Sequence, residues 1–528
     1  MSVLDRTHEV LNQVPPLLDY NAFEADVPLR EALEREGGDW GIDRLRDLGT
    51  VAGSAEAREH SLRAERNQPR LLTHDRYGNR IDQVDLDPSW HWLLRVAIER
   101  ELAALPWRDP QPGAHVVRGA MMYVFGQVNA GVLCPVSMTY SAVPALRANP
   151  ELAAEWEPRL TLPDYERGAI SGMAMTEKQG GSDVRANTTR AEPQSDGTYE
   201  ITGHKWFCSY PPCDVFLTLA QAPAGLSCFL IEGRDPGFRI QRLKDKLGTR
   251  SLPSSEVEFH GVRGRLVGEE GRGVPTIIEM VNHTRLDCLI GSAAGMHYGV
   301  AQAVHHARHR SAFGKPLVEQ PAMQNVLADL AIEAEAATAA AMRIARAYDE
   351  KDTAFRRIAT AVLKYWVCKR AAPHANEALE CHGGNGYIEE SNMPLLYRDA
   401  PLNSIWEGSG NVAALDVLRA MMREPAALPA FLDECKEASG ADARLDAHIQ
   451  EIEGEFANFD VENAQWRARA LVEKLALALQ ASLLVRHAPP AVADAFCAGR
   501  LGGESGRAFG TLPSGVDAPA IIDRALAA

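Results

Sequence analysis

Met175-Thr176-Glu177-Lys178-Gln179-Gly180-Gly181-Ser182-Asp183, followed by Lys205-Trp206-Phe207-Cys208-Ser209, lies in a region unlike the rest of the chain. Between about residues 168 and 273, short β-like runs cover 170–175, 199–205, 215–220, 227–231 and 255–259. Turn signals such as Asp196-Gly197 and Pro236-Gly237 separate them. Several strands in about a hundred residues, with no helical pattern between them, predict a small β-barrel or sandwich.

Helical periodicity flanks this region. Upstream, 36–167 carries apolar residues at helical spacing, among them Leu45, Leu48, Val51 and Ala52, then Trp92, Leu93, Val96 and Ala97. Asp75-Arg76-Tyr77-Gly78-Asn79-Arg80 interrupts it as a turn between extended segments, which predicts a hairpin. Residues 1–35 read as an irregular arm broken at Pro15-Pro16, with Val10, Leu11, Val14, Leu17 and Leu18 expected to pack on something. Downstream, periodic stretches over 274–312, 319–350, 354–382 and 410–423 predict a helical bundle. Residues 424–528 add a further helical region, with runs over 441–456 and 461–487, and then a stretch rich in Gly, Pro and Ala that implies loops or a loosely held tail. The expected class is α+β with several domains.

The chain has 528 residues, enough for two to four domains. Its 46% hydrophobic and 24% charged residues suit a soluble globular protein. The net charge of −16 opposes polyanion binding except through a local basic patch. No apolar run reaches the roughly 18 residues that span a bilayer, so no membrane association is expected. A polar stretch from Met1 to Glu9 argues against a secretory signal, and the expected location is cytoplasmic. The nine cysteines are odd in number and show neither CxxC nor zinc-ligand spacing. They read as small core residues, with Cys208 set apart by its place in the motif, and no metal site is expected.

Two kinds of chemistry are offered. Glycines at 180 and 181 let backbone amides approach a ligand closely, and Trp206 supplies an aromatic face. A flat redox-active ring, apolar on its faces and polar along one edge, needs that combination; a plain turn beside a core tryptophan is the alternative. The second set is Trp406-Glu407-Gly408-Ser409-Gly410-Asn411, preceded by Gly383-Gly384-Asn385-Gly386-Tyr387. Glu407 is a carboxylate in a glycine-rich turn, suited to abstracting a proton when partly desolvated. It also precedes a helix, where the dipole alone favours a carboxylate. The Gly383 cluster reads equally as a helix C-cap followed by a turn.

With Arg310-Ser311-Ala312-Phe313-Gly314, Gln320 and Gln324, these motifs resemble the acyl-CoA dehydrogenase family of flavoproteins over about residues 40–423. The arm, the Gly203-His204-Lys205-Trp206-Phe207 and Arg242-Leu243-Lys244-Asp245-Lys246-Leu247-Gly248 segments, and the C-terminal addition are similar to its AidB-like branch. The resemblance implies an N-terminal helical domain (36–167), a central β domain (168–273), a four-helix bundle (274–423) and an extra helical domain (424–528). It implies FAD as cofactor and an acyl-CoA or related small molecule as substrate. Met175, Thr176 and Gly181 would meet the flavin edge, Ser182 a phosphate or CoA, and Trp206 the ring, with Phe207 and Ser209 beside it. Arg310 would take the pyrophosphate, grouped with Phe313, Gln320, Gln324, Gly383, Gly384 and Gly386 from a neighbouring subunit of a homotetramer. Trp406, Gly408, Ser409 and Asn411 complete the cofactor-binding positions, and Glu407 is the catalytic base. Lys178-Gln179 replaces a family proline, which implies a different loop at the CoA entrance. The resemblance to this branch also implies weak dehydrogenation of ordinary acyl-CoAs and a link to duplex DNA through the C-terminal domain. Residues 424–528 carry about 9 Lys plus Arg against about 16 Asp plus Glu, a poor footprint for phosphates.

Overall fold

Helices lead into the β region in the computed structural model, which describes residues 7–350, 352–460 and 462–527. They are α1 (Val27–Arg35), α2 (Ile42–Ala52), α3 (Ala55–Arg66), α4 (Pro88–Glu99), α5 (Leu105–Arg108), α6 (Ala114–Gly126), α7 (Leu133–Leu146) and α8 (Pro150–Leu160). The expected hairpin, β1 (Arg70–His74) with β2 (Arg80–Asp85), stands between α3 and α4. Starts recur as a polar cap followed by proline: Asp26 accepts from the Leu29 amide at 2.9 Å ahead of Pro28, and Asn149 caps α8 ahead of Pro150. The arm is therefore not irregular throughout, because α1 occupies its last nine residues. Nor do its apolar residues all pack: Val10 is 57% and Leu11 67% exposed. Met1 to Arg6, part of the polar N-terminal stretch, lie outside the described residues.

The β region is β3 (Ser171–Ala174), β4 (Arg190–Pro193), β5 (Tyr199–Ser209), β6 (Val215–Ala222), β7 (Gly225–Glu232), β8 (Phe238–Leu243) and β9 (Ser254–Val267). Pairings run β6–β4–β5–β9–β7 and return from β7 to β6, so five strands close into a barrel. β3 lies parallel to β6 at one side, and β8 pairs with β9 at the other. Closure removes free edges, and a core of Phe216, Phe229, Phe259 and Ile201 fills the interior.

Next come α9 (Gly273–His309), the two-residue strands β10 (Ser311–Ala312) and β11 (Lys315–Pro316), α10 (Pro321–Asp349), α11 (Thr353–Glu380), α12 (Met393–Asp399) and α13 (Gly410–Arg423). The addition consists of α14 (Ala427–Lys436), α15 (Ala443–Ala457), α16 (Ala464–His487), α17 (Pro490–Arg500) and α18 (Ala518–Ala525). Residues 501–517 are loop, as expected, but the end of the chain is not loosely held. Ile521 and Ile522 of α18 are buried, Arg524 pairs with Glu31 and Glu335, and the Ala527 amide donates to Ala25 O at 3.0 Å. Among the described residues no helix is long and apolar enough to cross a membrane. All nine cysteines are free thiols, buried except for the half-buried Cys134.

Candidate active site

Glu407 sits in the turn before α13 with φ +58°, a left-handed conformation that a side chain makes unfavourable. Its surroundings hold it there. Lys364 of α11, 1% exposed, donates its ammonium to Trp406 O at 2.8 Å and to Gly408 O. Arg285 of α9 donates Nε to Glu407 O at 2.9 Å, while its Nη1 pairs with Asp416 at 2.8 Å. Three successive carbonyls are thus gripped by two buried cations, and the carboxylate of α13 anchors one of those cations.

The Glu407 carboxyl accepts from Thr284 Oγ1 at 2.7 Å. Burial pushes it above the ordinary carboxylate range, against the pull of the Thr284 bond and of the Lys364 and Arg285 charges. The residue keeps a half-exposed surface even though protein surrounds it deeply. Cys134, at the start of α7, joins this turn to the barrel: its thiol lies beside the Ser209 hydroxyl and feels the Glu407 charge. Burial pushes that thiol up to about 12, so it stays protonated. Trp406 donates its indole N–H to Asn403 Oδ1 at 2.9 Å, and Asn403 donates in turn to Ser292 at 3.1 Å, which fixes the indole as a wall.

In the barrel, the motif divides into structural and uncommitted residues. Glu177 and Lys205 form a fully buried pair at 2.9 Å. Glu177 also accepts from Gln179, from the Thr188 amide and hydroxyl, and from the Thr189 amide. Burial alone would raise it, but the Lys205 ammonium and these bonds hold it far below the usual carboxylate range. Burial lowers Lys205 to about 8, partly offset by Glu177. The pair and its bonds shape the loop that presents Thr176, Gly181 and Ser182. At Gly181 a Cβ would come within 2.5 Å of Thr176 Oγ1, so only glycine lets the loop fold back over that hydroxyl. Among the described residues the side chains of Thr176, Ser182, Trp206 and Ser409 have no hydrogen-bond partner. Free hydroxyls and the indole N–H of a half-exposed tryptophan, whose amide bonds Thr176 O at 2.8 Å, suit a ring with a polar edge. Lys244 crosses the Trp206 ring at 3.1 Å from its centroid, and Lys178 and Arg242 flank it at 5.9 Å, so this face is cationic. Lys178-Gln179 fits the loop by other means than proline: the Lys178 amide donates to His204 Nε2 at 3.0 Å and Gln179 braces Glu177.

A second cluster gathers at the far end of the bundle. His306 and His382 meet with ring centroids 4.7 Å apart and planes tilted by 45°, which joins the end of α9, where Arg310, Phe313, Gln320 and Gln324 follow, to the loop of Gly383, Gly384 and Gly386. Asn12 of the arm grips this end: it donates to Ser311 O and accepts from the Ser311 amide, both at 2.8 Å, and its backbone carbonyl accepts from Arg310. Phe313 is 99% and Tyr387 83% exposed. No hydrogen bond among the described residues joins this cluster to Trp206 or Glu407 within the protomer. Thr284, Arg285 and Lys364 escape sequence reasoning because they lie on core-facing helix positions, with no local pattern to mark them.

Descriptions of known families match three consecutive parts of the chain. The adaptive response protein AidB N-terminal domain matches residues 12–167, the acyl-CoA dehydrogenase middle domain 172–262, and the acyl-CoA dehydrogenase C-terminal domain 271–422. The chain belongs to the acyl-CoA dehydrogenase family of oxidoreductases, in its AidB-like branch. It is 40% identical to AidB of Escherichia coli (strain K12) over 512 residues, 93% of this chain and 94% of that protein. It is 33% identical over 409 residues to acyl-CoA dehydrogenase family member 11 of Caenorhabditis elegans, covering 72% of this chain and 66% of the relative. The solved structure of Caenorhabditis elegans ACDH-11 in complex with C11-CoA superposes with a TM-score of 0.87 at 27% identity, covering 94% of both chains. The apo-form of Bd2924 gives 0.84 at 28% identity, over 90% of this chain and all of that one.

Proposed function

We propose that this oxidoreductase acts with FAD on an acyl-CoA or a related thioester in the cytoplasm, with Glu407 as the base that takes the α-proton. The observation carrying this proposal is the Glu407 turn itself: a carboxylate of raised pKa held in an unfavourable backbone conformation by Lys364 and Arg285. A purely structural carboxylate at a helix start has no need of that clamp. Bound between the barrel and the bundle, FAD supplies the hydride acceptor. Met175, Thr176, Gly181, Ser182, Trp206, Phe207 and Ser209 would hold its ring, and Trp406, Gly408, Ser409 and Asn411 would border it. Arg310, Phe313, Gln320, Gln324, Gly383, Gly384 and Gly386 would serve the cofactor of a neighbouring subunit. The 99% exposure of Phe313 and the separation of this cluster from Trp206 support a homotetramer, readable as a molecular mass by light scattering.

Proton movement follows from Thr284. Its hydroxyl oxygen, which carries one proton to donate, lies 2.7 Å from Glu407 Oε2 and 3.1 Å from Val281 O. While Glu407 is ionised the hydroxyl donates to it. Once Glu407 has taken a proton, the hydroxyl can turn to Val281 O and accept from the new acid. The carboxyl thereby keeps a partner in both protonation states without moving backbone, while the donated bond favours the ionised one. A CoA complex of the Caenorhabditis elegans relative supports the substrate class. The test is anaerobic mixing with a panel of acyl-CoA thioesters: the wild type is expected to bleach, and Glu407→Gln to lose at least a hundredfold in rate, about the low end of general-base contributions. Equal bleaching by Glu407→Gln would remove the assigned base.

Protection or repair of alkylated duplex DNA, with only vestigial dehydrogenation, is the alternative function. Ion pairing in the addition weighs against it. Lys436, Arg444, Arg467, Lys474, Arg486, Arg500 and Arg524 each contact a carboxylate.

A further inference from the structure

We propose that Arg469, carried by the C-terminal addition, is a positioning residue for the flavin-facing start of α13. The inference rests on the flavin site proposed above and names a residue outside the family motifs that serves it. Arg469 Nε donates to Asn411 Oδ1 at 2.8 Å, across 58 residues of sequence. Asn411 is the second residue of α13, two positions after Ser409 and four after Glu407. The guanidinium lies close on the backbone there: a Cβ at Gly410 would stand 3.4 Å from Arg469 Nη2 and 3.0 Å from Lys369 Cε.

Two features make the contact specific. First, Arg469 is not held by charge. Arg467 pairs with Glu455, and Lys474 with Glu451 and Glu455, while Arg469 has no carboxylate partner among the described residues. The positive end of α13 repels a cation, so general electrostatics do not bring the guanidinium here. Second, the bond fixes the sense of the Asn411 amide. With Oδ1 engaged by Arg469, the Nδ2 donors are the group left without a partner among the described residues, and donors are what phosphate and ring-carbonyl oxygens require. Freed from Arg469, the amide can flip and present an acceptor to the same oxygens. The addition is thereby tied into the cofactor site rather than appended to it.

The test titrates FAD into apoprotein of the full chain and follows quenching of flavin fluorescence. Arg469→Ala is expected to weaken FAD binding about tenfold, the scale of one well-placed hydrogen bond. Arg469→Gln, which keeps an N–H donor without the charge, is expected to recover most of that loss. Arg469→Ala combined with Asn411→Ala is expected to bind no worse than the weaker single variant. The melting temperature of the apoprotein is expected to be the same in all of them, whereas a merely structural role in docking α16 would lower it. Wild-type affinity in Arg469→Ala, additive losses in the double variant, no recovery by Gln, or a parallel fall in apoprotein melting would each overturn the assignment. A wild-type chain that takes up no flavin would remove the flavin site and this residue's role together; a normal wild type beside a normal Arg469→Ala would remove only the latter.

Discussion

At Glu407, side chain and backbone are controlled by different partners. Thr284 sets the protonation of the carboxyl, and Lys364 and Arg285 set where the turn places it. These roles are separable by substitution. A base must be ionised to act, so the bleaching rate should climb with pH through a pKa above the ordinary 4.5. The Thr284 bond favours the ionised form, and removing it raises the pKa further. Thr284→Val is therefore expected to move the acid limb of the pH–rate profile to higher pH; an unmoved or lowered limb would contradict the assignment. Lys364→Met acts on the other control. It strands two carbonyls in a buried place, at about 1–3 kcal/mol each, and lets the strained turn relax. The expected result is a slower bleaching rate with substrate affinity nearly kept, measured by separating the rate and binding terms of the bleaching kinetics.

Among elements, the barrel depends most on one buried pair. Glu177 and Lys205 join the motif loop to β5 with no exposed surface. Replacing only the lysine leaves a buried carboxylate uncompensated, so Lys205→Met should cost about 3–5 kcal/mol. Glu177→Gln added to it should restore part of that loss, read as melting temperature in the two variants. The sequence makes the strand-rich region, the long helices and the Asp75–Arg80 turn legible because each has a strong period or turn signal. It hides β4 and β8, which are short and carry Arg190, Glu192, Gln241 and Arg242 on exposed positions. Barrel closure is hidden as well, because the β6–β7 return and the parallel β3–β6 pairing are long-range choices that propensity does not encode. The tail misleads for the opposite reason. Its Gly, Pro and Ala residues read as loop, yet α17 and α18 fold because the bundle offers Asp329, Glu333 and Glu335 to Arg500 and Arg524. In the candidate site, Glu407 and the flavin motif stand out by local pattern, whereas Lys364 and Arg285 become visible only when α9, α11 and the turn meet.

For the whole molecule, charge decides which partners are feasible. The net charge is −16, and the C-terminal addition is itself acidic. Packing uses up most of its cations: α16, α17 and α18 attach through arginines whose carboxylate partners lie on α1, α10 and α14. Only Arg469 and Arg507 of this segment lack a carboxylate partner among the described residues, and Arg469 is engaged with Asn411. Duplex binding releases counterions in proportion to the phosphates neutralised, with a log–log salt slope near −0.9 per contact. Two cations against an acidic surface give a slope no steeper than about −2 and too little affinity to retain a complex. The flavin-loaded chain is therefore expected to leave duplex DNA unshifted in a gel even at low salt. A shift with a slope near −5 would mean that about five or more phosphates find cations. The ion pairs of the addition would then have to open in the complex, and the alternative DNA function would regain its footing.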